Sequence, residues 1–586
     1  MARSKASGRG APPPAAADGR SAATTLLGIV FLLAEVIVVT SAASPFREPK
    51  MAVAVAGLAL VLGVYAATRL WQQRLELHTS PLVATLAAYP VLLALSALWA
   101  VNPRDALLAA AQAAVWVAAV ILLATLGRPA IGRLVVWAAI GAALSVVIEL
   151  LQAANRSPLV AVAATDDRLA RTGLAGNPAD LAAASLLLIP LLLASGERKT
   201  PSRFALALTA VLGIGAALSE TLTGYAAIAA LVVVWIILRH SRKIWLGAAV
   251  LLAVLAAAVA LSGVGGRLRT LETDLKQGDW YAVFSARADG WTAAAQMIQD
   301  HPLTGVGGAN FTQAFYPARL EWLNTHQTSG ARGELATHFP WTHCDPLQLV
   351  AELGLLGAAW MLLLVVSFVR SARGSRELAA LAAAAALPFL LFHYPTHITI
   401  GLIPVTLVLA RLVADGSPAR RVVRIPAVAR GLALVVLGLA VGVLYWQYQG
   451  FAATMWYGRA EQAIETSIRL PAAIRNRTLN GAERILLVRE RQHPEERPWL
   501  LRLLGRTQLA LGRDADAADS FRRAYALWPH AQAELGLGLA LAAEGRVTEA
   551  LPHLQQVVRV NPKLADLIPD PELRQTVSES VMQGPQ

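Results

Sequence analysis

The residues best suited to chemistry lie in three polar stretches between long apolar runs. The first reads Arg171-Thr-Gly-Leu-Ala-Gly-Asn177-Pro178-Ala-Asp180. Asn177 suits a helix N-cap, Pro178 the first helical position and Asp180 the third. Arg171 thereby reaches the mouth of a span beside a helix N-terminus, a combination that favours phosphate. A capped helix with a solvated arginine would leave the same letters. The second stretch holds Arg287 and Trp291, four apart and so on one helix face, then Asp300-His301-Pro302-Leu-Thr-Gly305-Val-Gly307. Gly305 and Gly307 would let backbone amides approach a phosphate. A plain turn beside a membrane-surface helix anchored by Trp291 explains them equally well. The third stretch reads His343-Cys344-Asp345-Pro346-Leu-Gln348, with Glu352 and Gly354 beyond. Asp345 is expected as N-cap, Pro346 as first helical residue, and Gln348 as the partner that closes a capping box. His343 then stands two residues before a helix. An imidazole with an ordinary pKa of about 6.5 suits a general base or a proton shuttle. Gln348 and Glu352 share a helix face, whereas Glu352 lies about half a turn away from position 343.

The elements that position these stretches follow from composition. Of 586 residues, 56% are hydrophobic and 15% charged, against roughly 45–50% and 25% in soluble proteins. A soluble enzyme is excluded for most of the chain. The single cysteine, Cys344, excludes an internal disulfide and a multi-cysteine metal site. The net charge of +13 is expected in loops on one side of a membrane rather than as a nucleic-acid surface. Residues 1–21 read as a disordered cytoplasmic tail. Apolar runs near 22–41, 51–69, 81–100, 105–126, 132–151, 179–195, 203–219, 221–238, 244–262, 347–369, 377–393, 397–414 and 430–448 predict twelve or thirteen spans.

Basic residues alternate with these runs. Arg69, Arg74, Arg128, Arg133, Arg198, Lys199, Arg239, Arg370, Arg411 and Arg420 fall on one side; the opposite loops hold few, among them Arg47, Lys50 and Arg104. With the N-terminus inside, segments 152–178 and 263–346 and the C-terminal tail lie outside. Glu35 and Glu149 fall within apolar runs, toward their outer ends.

From 449 the chain turns polar and Arg/Glu-rich. Leu501, Gly505, Gly512, Ala517, Phe521, Ala524 and Pro529 fit a tetratricopeptide repeat, and Leu537, Gly538, Gly545, Ala550, Leu554 and Pro562 a second copy about 33 residues on. The expected division is 22–448 as the membrane domain, 449–497 as helical linker or degenerate repeat, 498–565 as repeats and 566–586 as a tail. The fold class is all-α: a polytopic membrane bundle with a helical periplasmic loop and a C-terminal α-solenoid. Such arrays present a docking surface to a partner.

Taken together the three motifs resemble the O-antigen ligase/polymerase family of bacterial membrane glycosyltransferases. The resemblance rests on Arg171 before Gly176-Asn177-Pro178, on Arg287 and Trp291 ahead of His301-Pro302-Leu303-Thr304-Gly305-Val306-Gly307, and on His343 with Leu347-Gln348, Glu352 and Gly354. It covers roughly 22–414. Cys344 stands where the family has Asn or Ser, and Pro346 where it has an aromatic or aliphatic residue. The resemblance implies transfer of a glycan from a polyprenyl-pyrophosphate carrier to a glycan or lipid acceptor hydroxyl, outside the bacterial inner membrane, with no cofactor or metal. It implies His343, Arg287 and Arg171 as catalytic residues, and Asn177, His301, Gly305, Gly307, Asp345, Gln348 and Glu352 as substrate-binding. Arginine forks match the charge of a departing pyrophosphate without a metal, and His343 would take or orient the acceptor proton. The alternatives are a protein O-oligosaccharyltransferase of the same family, a transporter without bond chemistry, and a membrane anchor displaying the repeats.

Overall fold

A computed structural model describes residues 15–156, 171–194, 202–239, 264–284, 287–326, 339–416, 419–421, 426–493 and 496–583. The chain opens with α1 (Ala15–Val36) and α2 (Glu48–Trp71), a short strand β1 (Glu76–His78), then α3 (Pro81–Ser96), α4 (Pro103–Leu126) and α5 (Arg128–Ala153). Next come α6 (Pro178–Ala194), α7 (Arg203–Leu218) and α8 (Leu222–Arg239). The outer segment holds α9 (Val264–Gln277), α10 (Trp280–Phe284), α11 (Arg287–Asp300) and α12 (Phe311–His326). Then follow α13 (Asp345–Ser371), α14 (Arg376–Phe392), α15 (Thr399–Gly416), strand β2 (Ala419–Arg421) and α16 (Pro426–Ile468). The C-terminal array comprises α17 (Ala472–Gln492), α18 (Arg497–Ala510), α19 (Asp514–Leu527), α20 (Ala531–Ala543), α21 (Val547–Val560) and α22 (Pro571–Gln583).

Each expected apolar run on described residues forms helix over most of its length; the run 244–262 lies outside them. Among the described residues six helices, α2, α4, α5, α13, α15 and α16, are long and apolar enough to cross a membrane, fewer than the twelve or thirteen expected; α3, α6, α7 and α8 are apolar but shorter. The expectation of a disordered 1–21 is corrected in part: α1 begins at Ala15, where three alanines, the strongest helix formers, open it. An all-α expectation also needs one addition. β1 pairs antiparallel with β2, Glu76 opposite Arg421, which joins two loops at one end of the bundle.

One large apolar cluster occupies most of the bundle, with Leu27, Phe31, Leu58, Leu123, Leu134, Leu186, Phe389 and Leu407 buried. On the outside, Leu362, Leu434, Leu439 and Val441 stay exposed. Such faces suit lipid, which is as apolar as leucine.

The bundle has two chemically distinct ends. At one, Val101 N–H donates to Val306 O, Arg47 meets Asp180, and Thr396 meets Asp345. At the other lie the strand pair and Asp415, which joins Arg128, Arg411 and Ser375. The C-terminal array packs against α12, where Tyr316 and Leu323 are buried with Leu535, Leu541 and Leu554. α16 runs unbroken through 448 and 449, so the membrane helix and the first helix of the polar region are one element.

Candidate functional site at the start of α13

α13 is broken. Gly354 adopts φ +58°, ψ −143° inside it, in the left-handed half of backbone space that glycine enters without steric cost. A break frees backbone groups, which must find partners in an apolar setting. The stretch 302–309 supplies them. Val306 N–H donates to Ala351 O at 3.1 Å, Gly307 N–H to Glu352 O at 2.9 Å, and Leu355 N–H to Pro302 O at 2.9 Å. Ala309 N–H reaches Glu352 Oε2 at 2.7 Å, and Gln348 Nε2 donates to Glu352 Oε1 at 3.0 Å. The fit is backbone against backbone: a Cβ on Gly305, at φ +65°, would lie 2.3 Å from the Glu352 carbonyl carbon. The amides of Val306, Gly307 and Ala309 are thus engaged by α13, while the side chain of His301 is exposed. Gln348 and Glu352 share a face as expected.

The expected cap of α13 is corrected by one residue. Cys344 is the N-cap and makes no side-chain cap bond. The reason is that Asp345 is engaged elsewhere: its carboxylate accepts from Thr396 Oγ1 at 2.7 Å and from His397 Nδ1 at 3.0 Å. Gln348 reaches further back instead, accepting from Thr342 N–H at 3.1 Å. The Thr342 hydroxyl accepts from Cys344 N–H and donates to Cys344 O.

Between Thr342 and Cys344, His343 is held at φ +59°, a strained value for a side-chain-bearing residue. Its Nδ1 lies 3.1 Å from Trp341 O. A carbonyl only accepts, so Nδ1 carries the proton and Nε2 keeps its lone pair. The ring stands edge-on to Tyr394 at 4.7 Å and near Phe339 at 5.1 Å. Burial, then the neighbouring His393 and Arg287, push the His343 pKa down to about 3. The imidazole is neutral at physiological pH.

Arg287 opens α11 and donates from Nε to Phe392 O at 3.1 Å. Trp291 faces the same residue, ring centroids 6.2 Å apart, as the four-residue spacing required. α11 is locked to α12 by a buried ion pair, Arg319 to Asp289 at 2.8 Å, and Arg319 also donates to Thr292 Oγ1. This fixes the helix that presents Arg287.

A second guanidinium joins them. Arg47, just before α2, lies 4.5 Å over the Trp341 ring and donates to the Tyr394 hydroxyl at 2.6 Å. It stands 3.4 Å from Asp180, whose other oxygen is 2.9 Å from His393 Nε2. Burial alone would lower the Arg47 pKa; Asp180 and Tyr394 outweigh it and raise it. At His397 burial is likewise outweighed, by Asp345 and Glu352, and the pKa is raised.

Asn177 Oδ1 accepts from Ala179 N–H at 2.8 Å and caps α6 as expected. Arg171 pairs with Glu220 at 3.3 Å. Near it Glu149 is fully buried. Glu35 is buried too, and Lys50 Nζ donates to its backbone carbonyl. Sequence reading thus put His343 and Arg287 together with Asp345, Gln348 and Glu352. It missed Arg47, His393, Tyr394 and His397, and saw in Asp180 only a helix-start residue. The signal was present: His393-Tyr-Pro-Thr-His397 is a dense aromatic and imidazole run in a short loop, and Arg47 is a cation on the side where cations are scarce.

No curated protein and no solved structure matches the chain. Residues 205–362, from α7 to the middle of α13, match the family model described as O-antigen ligase. That stretch contains Arg287, His301, Gly305, Gly307, His343, Asp345, Gln348 and Glu352. The match supports the O-antigen ligase family and, with the apolar helices, a multi-pass membrane protein of the glycan ligase or polymerase kind.

Proposed function

We propose that the chain is a glycosyltransferase of the ligase or polymerase type. It moves a glycan from a polyprenyl-pyrophosphate carrier to an acceptor hydroxyl on the outer side of the bacterial inner membrane. The observation that carries this reading is a neutral imidazole, its Nε2 lone pair unused among the described residues, beside two guanidinium groups at one end of an apolar bundle. The acceptor oxygen forms a bond to the anomeric carbon as the carbon–oxygen bond to the pyrophosphate breaks. The electron pair leaves on the pyrophosphate, toward Arg287 and Arg47, and the acceptor proton passes to His343 Nε2. A donor pyrophosphate also offsets the cations that depress His343, so the base strengthens as the substrate arrives. Arg171 joins this site only by leaving Glu220, and its share is accordingly smaller. Asp345, Gln348 and Glu352, with the Gly305 and Gly307 turn, position the loop that carries His343; Asn177 positions α6 and so Asp180. His301, exposed, serves at most the outer part of a glycan.

Reconstitution with a polyprenyl-pyrophosphate glycan tests the assignment. His343→Ala and Arg287→Ala, each folded, are expected to lose transfer by about two decades or more. Wild-type turnover in both would remove it. Supplying lipid A core, polysaccharide and protein acceptors in parallel separates a ligase or polymerase from a protein O-oligosaccharyltransferase. A carrier without bond chemistry is the second reading, favoured by the buried Glu35 and Glu149; glycan flux with no new bond would select it.

The array is proposed to contain tetratricopeptide-like repeats at 498–565. Two turns support this: Gly512 and Gly545 take φ +72° and +80°. The following amides, Arg513 and Arg546, each donate 2.9 Å back to Gln508 O and Leu541 O. One flank of the array is occupied by α12 of the same chain, through Tyr316, whose hydroxyl donates to Glu534. The remainder is proposed to dock a protein partner. Unchanged complexes after deletion of 472–586 would reject that.

A further inference from the structure

The end of the bundle opposite His343 holds a cavity of about 450 Å³, lined by Arg128, Gly132, Arg133, Trp137 and Arg411 among others. Along α15 it is about 18 Å from Thr399, beside the site loop, to Arg411. Three guanidinium groups line it, and two of them share a single carboxylate. Asp415, itself buried, takes Arg128 and Arg411 by their Nε edges, Arg411 at 3.0 Å. It also accepts from Ser375 Oγ. This leaves the Nη groups of both arginines without an acceptor among the described residues, in fixed positions. Arg133 is exposed and has no acidic partner among the described residues. One wall is the indole of Trp137, packed over Gly28 of α1. The floor is empty at Gly132, where an added Cβ meets nothing within 4 Å.

Fixed guanidinium forks with spare donors recognise phosphate. A basic recess between membrane helices, open beside an aromatic wall, fits a phosphate that carries an apolar tail. We propose that this cavity binds a phosphate-bearing anion, with the headgroup of an anionic phospholipid as its source. The site is distinct from the His343 cluster and does not rest on the proposed transfer reaction.

Native mass spectrometry of the full chain in detergent tests it, with phosphatidylglycerol, phosphatidylcholine and inorganic phosphate as separate probes. Phosphatidylglycerol is expected to bind roughly tenfold more tightly than phosphatidylcholine, the size of one charge-assisted contact set. Arg133→Gln, which breaks no described ion pair, and Gly132→Phe, which fills the open floor, are each expected to remove most of that preference. Binding of inorganic phosphate that both variants weaken, without any lipid preference, keeps the site and moves the source to a soluble anion. Equal binding of the two lipids with no phosphate binding overturns the proposal. So does a preference that survives in both variants.

Discussion

The stretches 301–310 and 341–345 meet at the same end of α13; from their letters the first had a claim on phosphate and the second on proton transfer. In the first, the amides of Val306, Gly307 and Ala309 and the ring of Trp99, which donates to Thr304 O, are occupied by the protein itself. In the second, the backbone holds His343 at a strained φ and leaves its Nε2 lone pair without a donor among the described residues, with Arg287 and Arg47 near enough to lower its pKa. Glycine-rich sequence marks a place where backbones come close. Whether the partner is a ligand or another part of the chain depends on what lies opposite. Here the partner is a broken membrane helix.

The largest effects should separate the two stretches. His343→Ala or Arg287→Ala should lower transfer by at least about a hundredfold while leaving thermal unfolding in detergent near wild type. Gly305→Ala should do the reverse. Its Cβ has no room at the Glu352 carbonyl, and a left-handed alanine adds strain, together costing about 1–3 kcal/mol of stability. Turnover per folded molecule should fall far less. An unfolding temperature unchanged by Gly305→Ala would break the comparison. Arg47→Ala should cost transfer roughly tenfold, the scale of one charge-assisted contact, and Arg171→Ala less.

Acid titration sharpens the same contrast. His343 is pushed down to about 3 in the folded chain, against about 6.5 unfolded. Between those values the unfolded chain binds a proton that the folded chain refuses, so stability falls as pH drops through that window. His343→Ala should flatten this slope in unfolding scans. His397 has the opposite sign: its pKa is raised, so its contribution is full below about pH 6.5 and is lost as pH rises through the folded value. The smallest effect is His301→Ala, expected to leave turnover within about twofold.

The helices were legible because long apolar runs have few other uses, and the turn residues Asn177-Pro178 gave the start of α6 correctly. Asp345 was misread as a cap because capping preference is local, while the competing partners, Thr396 and His397, come from a loop about fifty residues away. The same distance hid the company of His343. Arg47 and Tyr394 lie on opposite sides of it in the chain, roughly 300 residues before and 50 after, and spacing carries no trace of such a meeting. Arg287 was found because Trp291 and the following turn gave it a local frame.

α16 is one rod of 43 residues, about 64 Å long, and it is clasped where it leaves the bundle by Ala43 N–H donating to Thr454 O. No joint separates the part sheathed in lipid from the part that carries α17 onward. A pull on the array would therefore act directly on a membrane helix, and α2, packed along that helix, begins one residue after Arg47.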